Sequence, residues 1–287
     1  MNLGIIIQAR IGSKRLLKKA YKKILGKHLL EWVVIRAKKS RLAKKVVVAI
    51  PDTKEDLIFL PLIKKNSADF FPGSLDNVLE RYFKTAKKFN IDPVVRITGD
   101  CPFIDPVLID EAIEEYLKIK KKPDYFLIEG YPFGLGDIEI ISVSALEKSL
   151  KMAKDERHFE HVVSFISERP DLFKITVKKA PPGLFRQDIR LCVDELPDLK
   201  LARKVAEHFR PRMDFTTPEI LEYLEKNPKT AAINRHIRHN YVIPKNDSEK
   251  KHIEKEVFLQ IKKIIKQKDL KKGNGTKTET GWKLLLK

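Results

Sequence analysis

The chain is short of the residues that announce a metal or an oxidising compartment. It holds two cysteines in 287 residues, Cys101 and Cys192, with neither metal-ligand spacing nor a disulfide framework. A reducing, cytoplasmic setting is therefore expected. No stretch approaches the length of a membrane span, and the N-terminal apolar run, closed by Gln8 and Arg10, is too short for a signal sequence. No internal repeat is visible. Acidic residues are scarce beside basic ones, 39 against 58, which leaves a net charge of +19. Such a field favours anionic partners: nucleotides, nucleic acid or acidic lipid. Most of the lysines, however, recur as helical surface pairs, as solvated faces do. Hydrophobic residues make up 43%, enough for a sizeable core. The length suits one large domain, or one domain with an appendage.

What is present is an alternation of strand and helix patterns. Leu3 to Ile7 reads as a buried strand, and His28 to Lys39 as a helix with Leu29, Leu30, Val33, Val34 and Ala37 on one face. Lys45 to Ile50 is a second strand, Glu55 to Lys65 a helix, and Ala68 to Phe71 a short strand ended by Pro72-Gly73. Ser74 is expected to cap a helix with Leu75, Val78, Leu79, Tyr82, Phe83 and Ala86 at helical spacing. Pro93 to Ile97 is a fourth strand, and Asp105-Pro106 opens a helix to Lys118. This order predicts an α/β fold with a mainly parallel sheet flanked by helices. The second half is less regular. Strands are expected at Asp124 to Ile128, Asp137 to Val143, Lys174 to Val177 and Ile189 to Val193. Helices are expected at Arg157 to Glu168, from Glu195 to about Phe209, and at Glu219 to Lys226. Beyond Asn246 an amphipathic basic segment and a polar Gly-containing stretch read as an appendage, residues 246–287, outside a core domain of residues 1–240.

In an open α/β sheet, ligands bind outside the carboxyl ends of the strands. Three charged clusters are placed there. The first strand delivers Gln8-Ala9-Arg10-Ile11-Gly12-Ser13-Lys14-Arg15, a turn with Lys18 and Lys19 just beyond. Free backbone N–H groups and cationic side chains in such a turn suit a polyphosphate, although a solvated basic loop has the same composition. The fourth strand delivers Asp100, and the strand before the last core helices delivers Asp194 and Glu195. Carboxylates opposite a basic loop suit a nucleoside triphosphate with a divalent metal, and each is equally a helix N-cap.

The runs IIIQARIGSKRL, LGKHLLEWVVIRAKKS, PGSLDNVLERYFKTAKKF, VVRITGDCPFIDPVLID and LCVDELPDLKLAR follow in order. Together they resemble the cytidylyltransferase family typified by spore-coat polysaccharide biosynthesis proteins, related to acylneuraminate and 3-deoxy-manno-octulosonate cytidylyltransferases. The resemblance covers roughly residues 3 to 235. It implies a Rossmann-like nucleotidyltransferase fold of the GT-A kind, with a small insert for dimerisation or acceptor binding. It also implies an activity joining CMP from CTP to an acidic sugar or related anionic acceptor, with release of pyrophosphate and Mg²⁺ as cofactor. Carried over, Gln8, Ala9, Arg10, Gly12, Ser13, Arg15 and Lys19 would contact the triphosphate side of the nucleotide, and Ser74, Arg81 and Gly99 its remaining surface. Arg15, Lys19 and Asp100 would be catalytic, Asp100 and Asp194 would hold the metal, and Asp137, Glu139 and His161 would face the acceptor. A homodimer is implied, with residues 130 to 185 as the interface.

The chain departs from the family pattern in three places. Leu17 and Lys18 stand where proline and glycine are usual, an extra glycine extends Gly134-Leu135-Gly136-Asp137-Ile138-Glu139, and Glu195 replaces a threonine after Asp194. Cys101 and Cys192 read as packing residues, since neither has a histidine at nucleophile spacing. His158 and His161 fit a structural role as well as an acceptor contact. Two alternatives remain at this level. One is an enzyme of the same fold using another nucleotide or a non-sugar acceptor, against which the Gln8-Ala9-Arg10 opening, poorer in glycine, argues. The other is nucleic-acid or acidic-membrane binding through the basic tail, while the core lacks interleaved surface aromatics.

Overall fold

The computed structural model describes residues 1–136 and 138–237; Asp137 and the expected appendage lie outside the described residues. The first strand, β1 (Gly4–Gln8), is buried on both faces, as a central parallel strand requires. Its basic loop leads into a hairpin of β2 (Lys23–Ile24) and β3 (Lys27–His28). The hairpin turns at Leu25-Gly26 with φ of 47° and 78°, the paired positive values of a tight two-residue turn. There follow α1 (Leu29–Ala37), β4 (Val46–Pro51), α2 (Leu60–Lys65), β5 (Asp69–Gly73), α3 (Val78–Lys88), β6 (Val94–Thr98) and α4 (Pro106–Lys118). The irregular half gives β7 (Tyr125–Glu129), β8 (Glu139–Ile141), α5 (Val143–Met152), α6 (Glu156–Glu160), α7 (Ser164–Glu168) and β9 (Ile175–Lys179). It ends in α8 (Leu196–Phe209), α9 (Thr217–Lys226) and α10 (Pro228–Ala231).

Seven strands form one sheet in the order β5-β4-β1-β6-β8-β7-β9. Neighbours pair in parallel except β8, which runs against both β6 and β7. The expected mainly parallel sheet flanked by helices is the observed fold. One face buries Ile5, Ile7, Val48 and Ile97 with residues of α1 and α4; the other buries Ile6, Val47, Ala49 and Val94 with residues of α3 and α5. A third cluster joins Ile24, Trp32 and Phe103 to α8 and α9.

Four local expectations are corrected. Helix α3 begins at Val78 with Asn77 as its cap, Asn77 Oδ1 accepting from Glu80 N at 2.8 Å. Ser74 closes the turn before it, its Oγ accepting from Asn77 N at 3.0 Å. Leu75 therefore lies outside the apolar stripe and is exposed. The segment Ile189 to Val193 is not a strand. Its backbone makes an isolated bridge, Phe133 to Arg190, and no strand among the described residues pairs with it to complete a ladder. The helix expected over Arg157 to Glu168 is split into α6 and α7, with His161 at φ −103° and ψ 86° ending the first, so that Val162 drops into the core. Helix α5 was not expected; Ser142 caps it by accepting from Ala145 N at 3.1 Å.

Candidate active site

The carboxyl ends of β1 and β6 are pinched together. Gly99 N donates to Gln8 O at 2.8 Å, and a Cβ on Gly99 would lie 2.8 Å from that oxygen and 3.1 Å from Ala9 Cβ. Only glycine allows this approach, which sets the basic loop beside Asp100. The third segment joins them through Val193 N, which donates to Asp100 O at 2.8 Å, so Asp194 emerges next to Asp100 although 94 positions separate them. The β-rich Ile189 to Val193 stretch is thus used to place a carboxylate.

At the centre lies Lys19. Its Nζ donates to Asp100 Oδ2 and to Asp194 Oδ1, each at 2.7 Å. Arg15 reaches Asp194 Oδ1 at 3.0 Å from a half-exposed position. Burial pushes the Asp100 carboxyl upward, but the Lys19 ammonium and the hydrogen bonds from Lys19 and Thr98 outweigh it and bring the pKa down to about 2. Burial likewise works against the charged form of Lys19, yet Asp100 and Asp194 outweigh it and raise its pKa above the ordinary lysine value. Both carboxylate and ammonium are therefore charged across the neutral range.

The loop has supports that sequence inspection missed. Asp56, 2% exposed, accepts from Ile11 N at 2.6 Å and from Thr53 Oγ1 at 2.7 Å, which anchors the loop entrance. Lys18 is the residue before the short helical turn that carries Lys19, and its φ of 55° lies in the left-handed region. That conformation is the physical reason a glycine is usual there in the family the chain resembles. Leu17 and Lys18 are exposed and face away from the core. Behind Asp100, Arg36 is fully buried and donates to the carbonyls of Phe103, Ile104, Met213 and Phe215, and burial lowers its pKa to about 10. Asp105 caps α4 through Val107 N at 2.9 Å and accepts from Thr217 N and Oγ1 at 2.6 and 2.7 Å.

The other candidate residues are placed as follows. Arg10 pairs with Glu160 Oε1 at 2.9 Å, both half-exposed, so the contact is weak and the guanidinium stays open to solvent. Gly12 has open space around it and Ser13 N donates to Ile11 O at 3.0 Å. Arg81 is buried and donates to Ser74 O, joining the two as one unit; its Nε has no hydrogen-bond partner among the described residues, and burial lowers its pKa. Glu139 is occupied: it accepts from Arg96 and from Tyr125 OH, while Arg96 also reaches Gln8 Oε1 at 3.3 Å. His161 ends α6 with much of the residue exposed and its ring partly desolvated; that desolvation and nearby Arg96, Arg157 and Arg10 outweigh Glu160 and lower its pKa. His158 is held by Glu168 at 2.9 Å. Asp137 lies outside the described residues. Glu195 forms a capping box with Asp198 at the start of α8, so its carboxylate serves the helix.

Among the described residues no group of three or more His, Cys, Asp or Glu side chains is arranged to hold a metal. The site nevertheless offers two aspartate oxygens within reach of one cation, Lys19 Nζ, and Asp100 is ionised well below neutral pH. That donor set fits Mg²⁺, which takes one or two carboxylates and fills its remaining positions with phosphate and water oxygens. No helix among the described residues is long and apolar enough to cross a membrane.

Known proteins share this sequence and fold. The cytidylyltransferase family model matches residues 4–234. An uncharacterized protein of Methanocaldococcus jannaschii is 37% identical over 233 residues, covering 81% of this chain and 94% of its own. The spore coat polysaccharide biosynthesis protein SpsF of Bacillus subtilis is 29% identical, covering 79% and 95%. A solved cytidylyltransferase from Leptospira borgpetersenii superposes with a TM-score of 0.77 at 30% identity, covering 83% of this chain and all of that one.

Proposed function

The chain belongs to the cytidylyltransferase family, and from that membership we propose that it transfers CMP from CTP to an acidic sugar or related anionic acceptor, releasing pyrophosphate, in the synthesis of a surface glycan precursor. The observation that carries this reading is Lys19 set between Asp100 and Asp194 beside Arg15 at the carboxyl edge of the sheet. An oxygen of the acceptor attacks the α-phosphorus in line and the bond to pyrophosphate breaks. Negative charge grows on the phosphoryl oxygens and the leaving group. Arg15 and Lys19 stand where they can meet that charge, and the loop adds the backbone of the Gly12 region and the Arg10 cation. Ser74, Arg81 and Gly99 line the nucleotide side. Asp100 and Asp194 would hold Mg²⁺, which supplies charge neutralisation for the triphosphate. With Glu139 engaged by Arg96, the acceptor side of the reading rests on His161.

The proposal extends to a homodimer acting in the cytoplasm, and to residues 246–287 as an appendage outside the catalytic unit. The test is pyrophosphate release from CTP, UTP, GTP and ATP against a panel of sugar acids and small carboxylic or phosphorylated acceptors. CTP is expected to be preferred, with activity abolished in the double variant Asp100→Ala, Arg15→Ala. CTP binding of wild-type strength in that double variant would sink the site assignment, and a preference for another nucleotide would sink the substrate.

A further inference from the structure

The best-satisfied buried charge near the site belongs to a residue outside the candidate set. Asp198, in the first turn of α8, has a fully buried carboxylate. Its Oδ2 accepts from the backbone N–H of Asp194 and of Glu195, both at 3.0 Å. Its Oδ1 accepts from Arg190 Nε at 3.2 Å and from Asn234 Nδ2 at 2.8 Å. Arg190, 7% exposed, then reaches Asp194 Oδ2 at 2.5 Å. The two oxygens of Asp194 thus have separate duties: Oδ2 is held from inside by Arg190, and Oδ1 faces Lys19 and Arg15.

We propose that the buried Arg190–Asp198 pair is a positioning device that presents one oxygen of Asp194 to a divalent cation and keeps its charge available. This rests on the metal reading of Asp194 given above. The argument has a geometric and an electrostatic half. Geometrically, a guanidinium fork spanning two carboxylates fixes the rotation of the outer one, which a point charge on a flexible stem does not do. Electrostatically, Arg190 alone beside Asp194 would cancel its charge and weaken cation binding. Asp198 offsets the guanidinium from behind, so Asp194 keeps its negative charge toward the site. Asn234 completes the set, donating to Arg190 O at 2.9 Å as well as to Asp198. Groups that orient a ligating side chain in this way typically hold 10–100-fold in metal affinity.

The test uses the full-length chain and Mn²⁺ as the probe, with free Mn²⁺ counted by electron paramagnetic resonance, without nucleotide and with a non-hydrolysable CTP analogue. Asp198→Asn keeps the shape and removes the offsetting charge; Arg190→Lys keeps the charge and removes the fork. Each is expected to raise the Mn²⁺ concentration at half-saturation on the order of 10-fold, and Asn234→Ala to give a smaller shift in the same direction. A purely structural pair would lower the melting temperature and leave half-saturation unchanged in the folded protein, and that result overturns the proposal. Should both Asp198→Asn and Arg190→Lys fail to fold, Asn234→Ala decides: a shift supports the device and no shift overturns it. A wild-type chain that binds no Mn²⁺ in either arm also overturns it. One that binds Mn²⁺ but releases no pyrophosphate from CTP sinks the CTP reading and leaves this proposal standing.

Discussion

Lys19 is the residue on which the site turns, because one ammonium answers two carboxylates from distant segments. Lys19→Met leaves Asp100 and Asp194 facing each other as like charges and removes a donor to the developing phosphoryl charge. Pyrophosphate release from CTP is expected to fall by roughly 10²-fold or more. The same pair sets a pH dependence of stability. The folded pKa of Asp100, about 2, lies below its ordinary value of 3.8, so its contribution is present above about pH 4 and lost as pH falls through 2. The folded pKa of Lys19 is raised, so its contribution is present below the ordinary value of 10.5 and lost only as pH rises beyond it. Urea midpoints of wild type and Lys19→Met should therefore differ by a constant amount from about pH 5 to 9 and converge below pH 4. A gap that persists unchanged to pH 2 would contradict the pairing. Lys18 gives a prediction of opposite sign. Its left-handed backbone carries a cost that glycine escapes, so Lys18→Gly is expected to stabilise by about 1 kcal/mol, read as a higher urea midpoint at unchanged slope.

At the scale of elements, the site depends on how closely strand ends approach. Gly99→Ala would push a Cβ to 2.8 Å from Gln8 O, and the ends of β1 and β6 would have to part. A loss of about 1–3 kcal/mol in stability is expected, with a larger proportional loss in activity than in folded fraction, since the shift falls between Lys19 and Asp100. Arg36 tests the far end of the segment that leads from Gly99 to α4. Arg36→Met leaves the carbonyls of Phe103, Ile104, Met213 and Phe215 without their donor, and a cost of roughly 3–5 kcal/mol is expected by urea unfolding. The first half of the element order was legible because buried strands, Pro and Asp stops and helical stripes coincide there. The Asp105-Pro106 opening of α4 was readable as written, since cap and first-turn proline are local signals. Ile189 to Val193 was misread for the converse reason. Its β-branched and apolar residues fit a half-buried extended chain, and whether a partner strand lies beside it is not a local property.

For the whole molecule, the family match covers residues 4–234, and the basic residues from 246 onward lie beyond it in the sequence. A chain ending at residue 245 keeps the whole family-matched segment and is expected to keep CTP-dependent pyrophosphate release within about threefold of the full chain. It is also expected to lose the salt-sensitive part of any binding to single-stranded nucleic acid or anionic vesicles. Retained polyanion binding after the cut would assign that binding to the core. The sequence by itself determined the mainly parallel α/β order, the basic loop after β1 and the aspartates after β6 and before α8, because periodicity, caps and ordered motifs are written in neighbouring residues. Only the tertiary structure decided that Lys19 would be shared between Asp100 and Asp194, that Glu139 would be taken by Arg96, and that Asp56, Arg36, Arg190 and Asp198 stand behind the site. Those pairings join residues far apart in the chain, and their strength comes from burial and mutual distance, which exist only once the chain has folded.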